Sequence, residues 1–171
     1  MGTATLLATL TGCSSHEVKA VPEVPERICW DVFTRQDVTP LLPSGDKATI
    51  SIDPFVLREE LDGTTCTLDV DGQTRFQAGA TRRDFEDDIE WSSYEKGKTA
   101  PIEVGKKGLV WPGGVVTYIV CEPPKSPSVP GNYIELDIST FDVADDKLPS
   151  RTLTPLLKRF VTFAERELNC V

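Results

Sequence analysis

The chain has 171 residues, a length for one domain or at most two. Its hydrophobic share of 39% is ordinary for a globular protein and enough for a real core. Eighteen basic residues against 27 acidic ones give a net charge of −9, which argues against nucleic-acid binding and against docking on anionic lipid by charge. A single histidine and five cysteines are the most informative counts.

The N-terminus reads MGTATLLATLTGC. A short apolar run, Leu6 to Leu10, leads into Leu10-Thr11-Gly12-Cys13, then Ser14-Ser15. Small residues before such a cysteine form the lipobox of bacterial lipoproteins, in which the cysteine is lipidated and becomes N-terminal. Residues 1–12 are read as a lipoprotein signal peptide. No Lys or Arg precedes the apolar run, so the peptide is expected to be incomplete at its N-terminus. That run is far shorter than the roughly 18 apolar residues a membrane-spanning helix needs. The structural alternative is an ordinary buried segment ending in a cysteine.

With Cys13 as the anchor, four cysteines remain: Cys29, Cys66, Cys121 and Cys170. An even number outside the cytoplasm favours two disulfides over free thiols. Of the three pairings, Cys29–Cys66 and Cys121–Cys170 are preferred. The first ties the domain's start to an early strand, and the second clamps the C-terminus. A zinc site lacks any Cys-x-x-Cys spacing.

Residues 13–27 are the lipidated cysteine and a polar, Pro-punctuated tether without apolar periodicity. His16 falls in it, where a solvated side chain cannot serve as a positioned ligand or base. One domain, 28–171, follows. Thr34-Arg35-Gln36-Asp37 reads as a variant capping box, with Thr34 at the N-cap of a short helix ended by Pro40 and Pro43-Ser44-Gly45. Thr49 to Ile52 and Thr65 to Val70 alternate as strands, the second placing Cys66, Leu68 and Val70 on one face. Asp71-Gly72 is a hairpin turn with a return along Arg75 to Ala78. Gly105 to Gly108 and Pro112-Gly113-Gly114 are further turns. Val115 to Cys121 is nearly continuous apolar and β-branched, and is read as the central strand. Tyr133 to Ile138 alternates, with Ile134, Leu136 and Ile138 inward. Thr154 as N-cap and Pro155 at the first helical position begin an amphipathic helix, its stripe running from Leu156 to Leu168. The fold class is α+β: an antiparallel sheet of five to seven strands, a short N-terminal helix, and a long C-terminal helix packed on one face.

No Ser-His-Asp or Cys-His arrangement is available to the domain, and no P-loop or dinucleotide fingerprint occurs. The protein is therefore read as a non-enzyme without a cofactor. The acidic cluster Asp84, Glu86, Asp87, Asp88 and Glu90 lacks EF-hand spacing. With Phe85, Ile89 and Trp91 it fits an amphipathic helical turn with a solvated face, and no metal ligands are assigned. Asp69 and Asp71 read as hairpin residues, and Asp142, Asp145 and Asp146 as loop residues. Residues 122–131 form a Pro-rich link, a stiff loop or a polyproline recognition surface. Trp91, Tyr94 and Trp111 are candidate binding residues for a carbohydrate or peptide, with core packing as the alternative. Trp111 leads because it stands beside a strand-end turn.

A lipobox at Leu10 to Cys13, a polar tether, Cys29 before the capped Thr34 to Asp37 segment, a strand cysteine in Thr65-Cys66-Thr67-Leu68 and a terminal amphipathic helix together resemble a family of small secreted actinobacterial lipoproteins. The resemblance implies a sheet-plus-helix domain similar to PsbP-like proteins and no established activity. Cys121 and Cys170 lie outside its pattern. The expected function is a lipid-anchored, non-catalytic binding or accessory protein on the outer face of the bacterial cytoplasmic membrane, with a protein or other envelope ligand. The alternatives are a carboxylate-dependent envelope hydrolase and an inhibitor or immunity-type protein whose acidic face meets a basic partner.

Overall fold

The computed structural model describes residues 20–95, 98–126, 128–141 and 150–170. Cys13, His16, Asp142, Asp145 and Asp146 lie outside them. The elements are strands β1 (Arg27–Ile28) and β2 (Phe33–Thr34), one helical turn α1 (Arg35–Val38), strands β3 (Ala48–Ile52), β4 (Gly63–Val70), β5 (Gln73–Arg83), β6 (Ala100–Ile102), β7 (Gly108–Trp111), β8 (Gly114–Glu122) and β9 (Asn132–Thr140), and helix α2 (Ser150–Glu167). Strands β3 to β9 form one antiparallel sheet in the order β3-β4-β5-β9-β8-β7-β6. The fold is α+β, with seven strands in the main sheet and α2 against β7, β8 and β9.

The turns follow from residue chemistry. Asp71 and Gly72 both take positive φ, 53° and 77°, as a two-residue hairpin between right-twisted strands requires. The Asp71 carboxylate then accepts the N–H groups of Asp46 and Lys47, seating the chain that enters β3. Pro112-Gly113 joins β7 to β8, with Gly113 at φ 89° and its carbonyl accepting from Thr140 N.

Val115 to Cys121 is interior but not central; β9 holds the centre of the sheet. Both are interior strands, hydrogen-bonded along both edges, so apolar continuity in one of them could not rank the two. Alternation in β4 is as read, with Cys66, Leu68 and Val70 buried. In β9, Ile134, Leu136 and Ile138 face α2 and are at most 1% exposed.

Helix α2 starts earlier than Thr154 and carries Pro155 inside it. Proline lacks an N–H and crowds the carbonyl four residues back, which usually ends a helix. Here the extra N-terminal turn brings in Leu153, 1% exposed, on the stripe with Leu156, Leu157, Phe160 and Ala164. Burying that leucine offsets about 1.5–3 kcal/mol of the proline's cost.

The N-terminal segment also differs from a tether reaching Arg27. Val24 is 1% exposed in the core, Ala20 O accepts from Gly45 N, and Glu26 O accepts from Arg35 N. Two buried valine and isoleucine side chains, Val24 and Ile28, outweigh the polar composition around them. At α1 the Asp37 carboxylate accepts from Thr34 N at 2.8 Å and from the Thr34 hydroxyl at 2.7 Å. Arg159 reaches Asp37 at 2.7 Å, joining α2 to this turn. Burial pushes the Asp37 carboxyl up, but Arg159 and Thr34 together hold it below the usual range.

Between β1 and β2 the residues Cys29, Trp30 and Asp31 all take left-handed φ, 49°, 57° and 62°. Each costs roughly 1–2 kcal/mol for a residue with a side chain. The turn is held by the Cys29–Cys66 disulfide, by Trp30 Nε1 donating to Asp53 O at 2.7 Å, and by Trp30 stacked 5.5 Å from Phe160. The second disulfide joins Cys121 of β8 to Cys170 after α2. Both bridges fit an oxidising, extracytoplasmic compartment. No helix among the described residues is long and apolar enough to cross a membrane.

Thiol counting on denatured, unreduced protein is expected to find none of these four cysteines free. Replacing either pair by serine is expected to lower unfolding free energy by about 3–4 kcal/mol, read from urea denaturation.

Candidate functional site

The sheet has two faces with different fates. One carries α2 and the N-terminal segment. The other, the outer face, presents Tyr133, Glu135, Asp137 and Ser139 from β9, because side chains alternate along a strand. Their neighbours on β8 are Val120, Tyr118, Val116 and Gly114, and on β5 they are Arg83, Thr81, Gly79 and Gln77.

Residues 84–95 lie over the Tyr133 end of this face. Instead of an amphipathic helical turn they form two short 3₁₀ turns, Glu86–Asp88 and Trp91–Ser93. Ile89 between them is 3% exposed and packs with Tyr118 and Tyr133. One buried residue in this stretch cannot hold a helix against a flat sheet, whereas an irregular segment can lower Ile89 and Trp91 onto it. The acids are used locally. Asp84 pairs with Arg82 at 2.7 Å, Asp88 accepts from Phe85 N at 2.9 Å, and Glu86 bonds the Tyr118 hydroxyl. That bond and burial push the Tyr118 phenol up to about 12, burial being the larger cause. Among the described residues no group of three or more His, Cys, Asp or Glu is arranged to hold a metal ion.

Beneath this cover lies Glu135, 3% exposed. Arg83 Nε donates to its Oε2 at 2.8 Å, and the Tyr94 hydroxyl donates to its Oε1. A buried carboxylate is tolerated only when paired and hydrogen-bonded, and here both oxygens are committed. Burial first, then Glu135, raise the Tyr94 phenol well above its usual range, so it stays a donor.

Trp91, Tyr94 and Trp111 come together on this face from two separate segments. The rings of Tyr94 and Trp111 are 5.4 Å apart and those of Trp91 and Tyr94 are 6.5 Å apart. Each is partly exposed. The Trp111 indole lies flat on Gly114, where a Cβ would approach within 2.1 Å of the ring. Lys107 Nζ stands 4.1 Å over the Trp91 ring, a cation–π contact.

Asp137 is a site residue that no local sequence pattern singles out. Two positions beyond Glu135, it lies over Gly79, where a Cβ would meet Oδ1 at 2.6 Å. Burial, then the Glu135 charge, push its carboxyl up to about 6, against a bond from Ser139 that favours the charged form. The signal was present: Val116, Tyr118 and Val120 are apolar on the outer face of β8, so that face had to be covered, and the acids beside it partly buried.

The Pro-rich link is a surface connection between β8 and β9, with Val129 exposed and Gly131 N donating to Asp84 O. The arrangement offers hydrogen-bond acceptors, aromatic faces and a rigid floor. Comparison with family models, with curated proteins and with solved structures found no match to this chain.

The Asp137 carboxyl goes from a usual 3.8 to about 6 in the fold. Between about pH 4 and pH 6 the native state keeps a proton that the unfolded chain releases, so this group's contribution to stability falls as pH rises through that window. Asp137→Asn is expected to match wild type below about pH 4 and to be about 1–3 kcal/mol more stable at pH 7, measured by urea denaturation across pH.

Proposed function

We propose that this protein is a lipid-anchored, extracytoplasmic binding protein whose ligand docks on the outer face of the sheet, against Tyr94, Trp91 and Trp111. The observation that carries the reading is that these three partly exposed aromatic residues converge from distant positions and are fixed from below. Tyr94 is hydrogen-bonded to a buried Glu135 that Arg83 also holds. Aromatic side chains fixed in this way lose little entropy on binding a ligand. The lipobox at Cys13 supports the anchor, and the two disulfides support the compartment. The resemblance to secreted actinobacterial lipoproteins supports the same placement and carries no activity with it.

A carboxylate-dependent hydrolase needs two acids free to reach one substrate. Glu135 and Asp137 stand two apart on one strand face, and Asp137 has the raised pKa of a general acid. Glu135, however, has both oxygens committed to Arg83 and Tyr94, which favours binding over catalysis.

Two experiments test the reading. Cells grown with radioactive palmitate are expected to label the wild-type protein and not Cys13→Ala; equal labelling of both removes the anchor. The full chain carrying Cys13→Ala is expected to co-sediment with isolated cell envelopes, and a further Trp111→Ala change is expected to weaken that binding by about tenfold or more. Undiminished co-sedimentation would move the ligand site elsewhere.

A further inference from the structure

The cover formed by residues 84–95 ends partway along the outer face. Beyond it the face carries Asp137 and Ser139 of β9, Gln77 and Gly79 of β5, and Thr65 of β4, in register across three strands. Thr65 is exposed, and Gln77, Asp137 and Ser139 are partly exposed. At the boundary stand Tyr94 and Trp111, rings 5.4 Å apart and inclined at 41°.

The chemistry of this surface is specific. The Thr65 hydroxyl donates to Asp53 Oδ2 at 3.0 Å and the Ser139 hydroxyl to Asp137, so both present acceptor lone pairs outward, the Gln77 amide can donate and accept, and Asp137 adds a strong acceptor. Further along the same face of β4, Asp69 Oδ1 is buried with no hydrogen-bond partner among the described residues. Arg83 neutralises Glu135, and the Asp137 carboxylate together with the Asp53 carboxylate bonded to Thr65 leaves this stretch acidic. A phosphorylated or anionic ligand would be repelled by Asp137 with no free cation among these side chains to receive it. An apolar peptide would leave the Gln77 amide and the remaining acceptor positions of the Asp137 carboxylate unpaired on burial, at about 1–3 kcal/mol each. A sugar meets both demands. Its hydroxyls donate to the carboxylate and to the Thr65 and Ser139 oxygens and exchange bonds with the Gln77 amide, while its C–H face packs on an aromatic ring.

We infer that the uncovered half of the outer face, bounded by Tyr94 and Trp111 and floored by Thr65, Gln77, Asp137 and Ser139, binds a neutral glycan. This inference rests on the outer-face reading above and names its ligand class. Gly79 is part of the device. Its missing side chain lets the Asp137 carboxylate lie down on the sheet instead of standing in the ligand's path.

The test uses the full chain carrying Cys13→Ala and an array of neutral oligosaccharides, including tetramers of glucose, galactose, mannose and N-acetylglucosamine. Binding is followed by tryptophan fluorescence and calorimetry. At least one neutral glycan is expected to bind saturably. Trp111→Ala and Asp137→Asn are each expected to weaken it about tenfold or more. Gly79→Ala, which displaces only the end of the Asp137 side chain, is expected to weaken it similarly while the thermal midpoint stays within a few degrees of wild type. That variant separates ligand contact from loss of fold. If envelope binding depends on Trp111 but no neutral glycan on the array binds or competes, the glycan inference is overturned and the outer-face reading stands. If a glycan binds and all three variants bind it as wild type does, both are overturned.

Discussion

A carboxylate at the middle of the central strand sets the terms for the rest of the outer face. Glu135 is almost wholly removed from water, and an unpaired charge there would cost several kcal/mol. Arg83, one strand away, and Tyr94, reaching in from the covering segment, supply its partners. The covering segment is therefore held by a polar bond at its Tyr94 end and by Ile89 packing at its other end. Where that segment stops, the exposed half of the face begins, with aromatic rings already fixed at its edge.

The opposite face is organised by packing. Phe33, Phe76 and Phe160 are fully buried and meet edge-on, with centroids 5.5 and 6.0 Å apart. Trp30 closes that cluster from outside, and three consecutive left-handed residues bring it there. Strain of this kind persists only where the surroundings over-determine it, and here a disulfide, an indole hydrogen bond and a ring stack do so. The two faces thus divide their roles. One carries the stabilising core and both crosslinked segments, and the other carries polar side chains and partly exposed rings.

Much of this was legible in local sequence. The alternation of Cys66, Leu68 and Val70, the Asp71-Gly72 turn and the Asp37 bond back to Thr34 follow from short-range rules, and the even count of four cysteines pointed to two bridges. The misread positions have one cause in common, which is burial supplied by a distant element. Pro155 sits inside a helix because Leu153 gains a place in the core. Val24 is buried in a segment whose composition reads as solvated. Residues 84–95 form 3₁₀ turns because the sheet beneath them receives Ile89.

The sequence by itself determined the class of fold and the turns, and it singled out Trp91, Tyr94 and Trp111. These depend on backbone dihedral preferences and side-chain period, which act over a few residues. Only the tertiary structure decided that β9 and not β8 is central, that Glu135 is a buried anchor, and that Asp137 lies on Gly79 beside the aromatic rings. Each of these depends on which strands become neighbours, and pairing between residues some fifty positions apart, as Arg83 and Glu135 are, is set by the global packing of both faces and not by any local pattern.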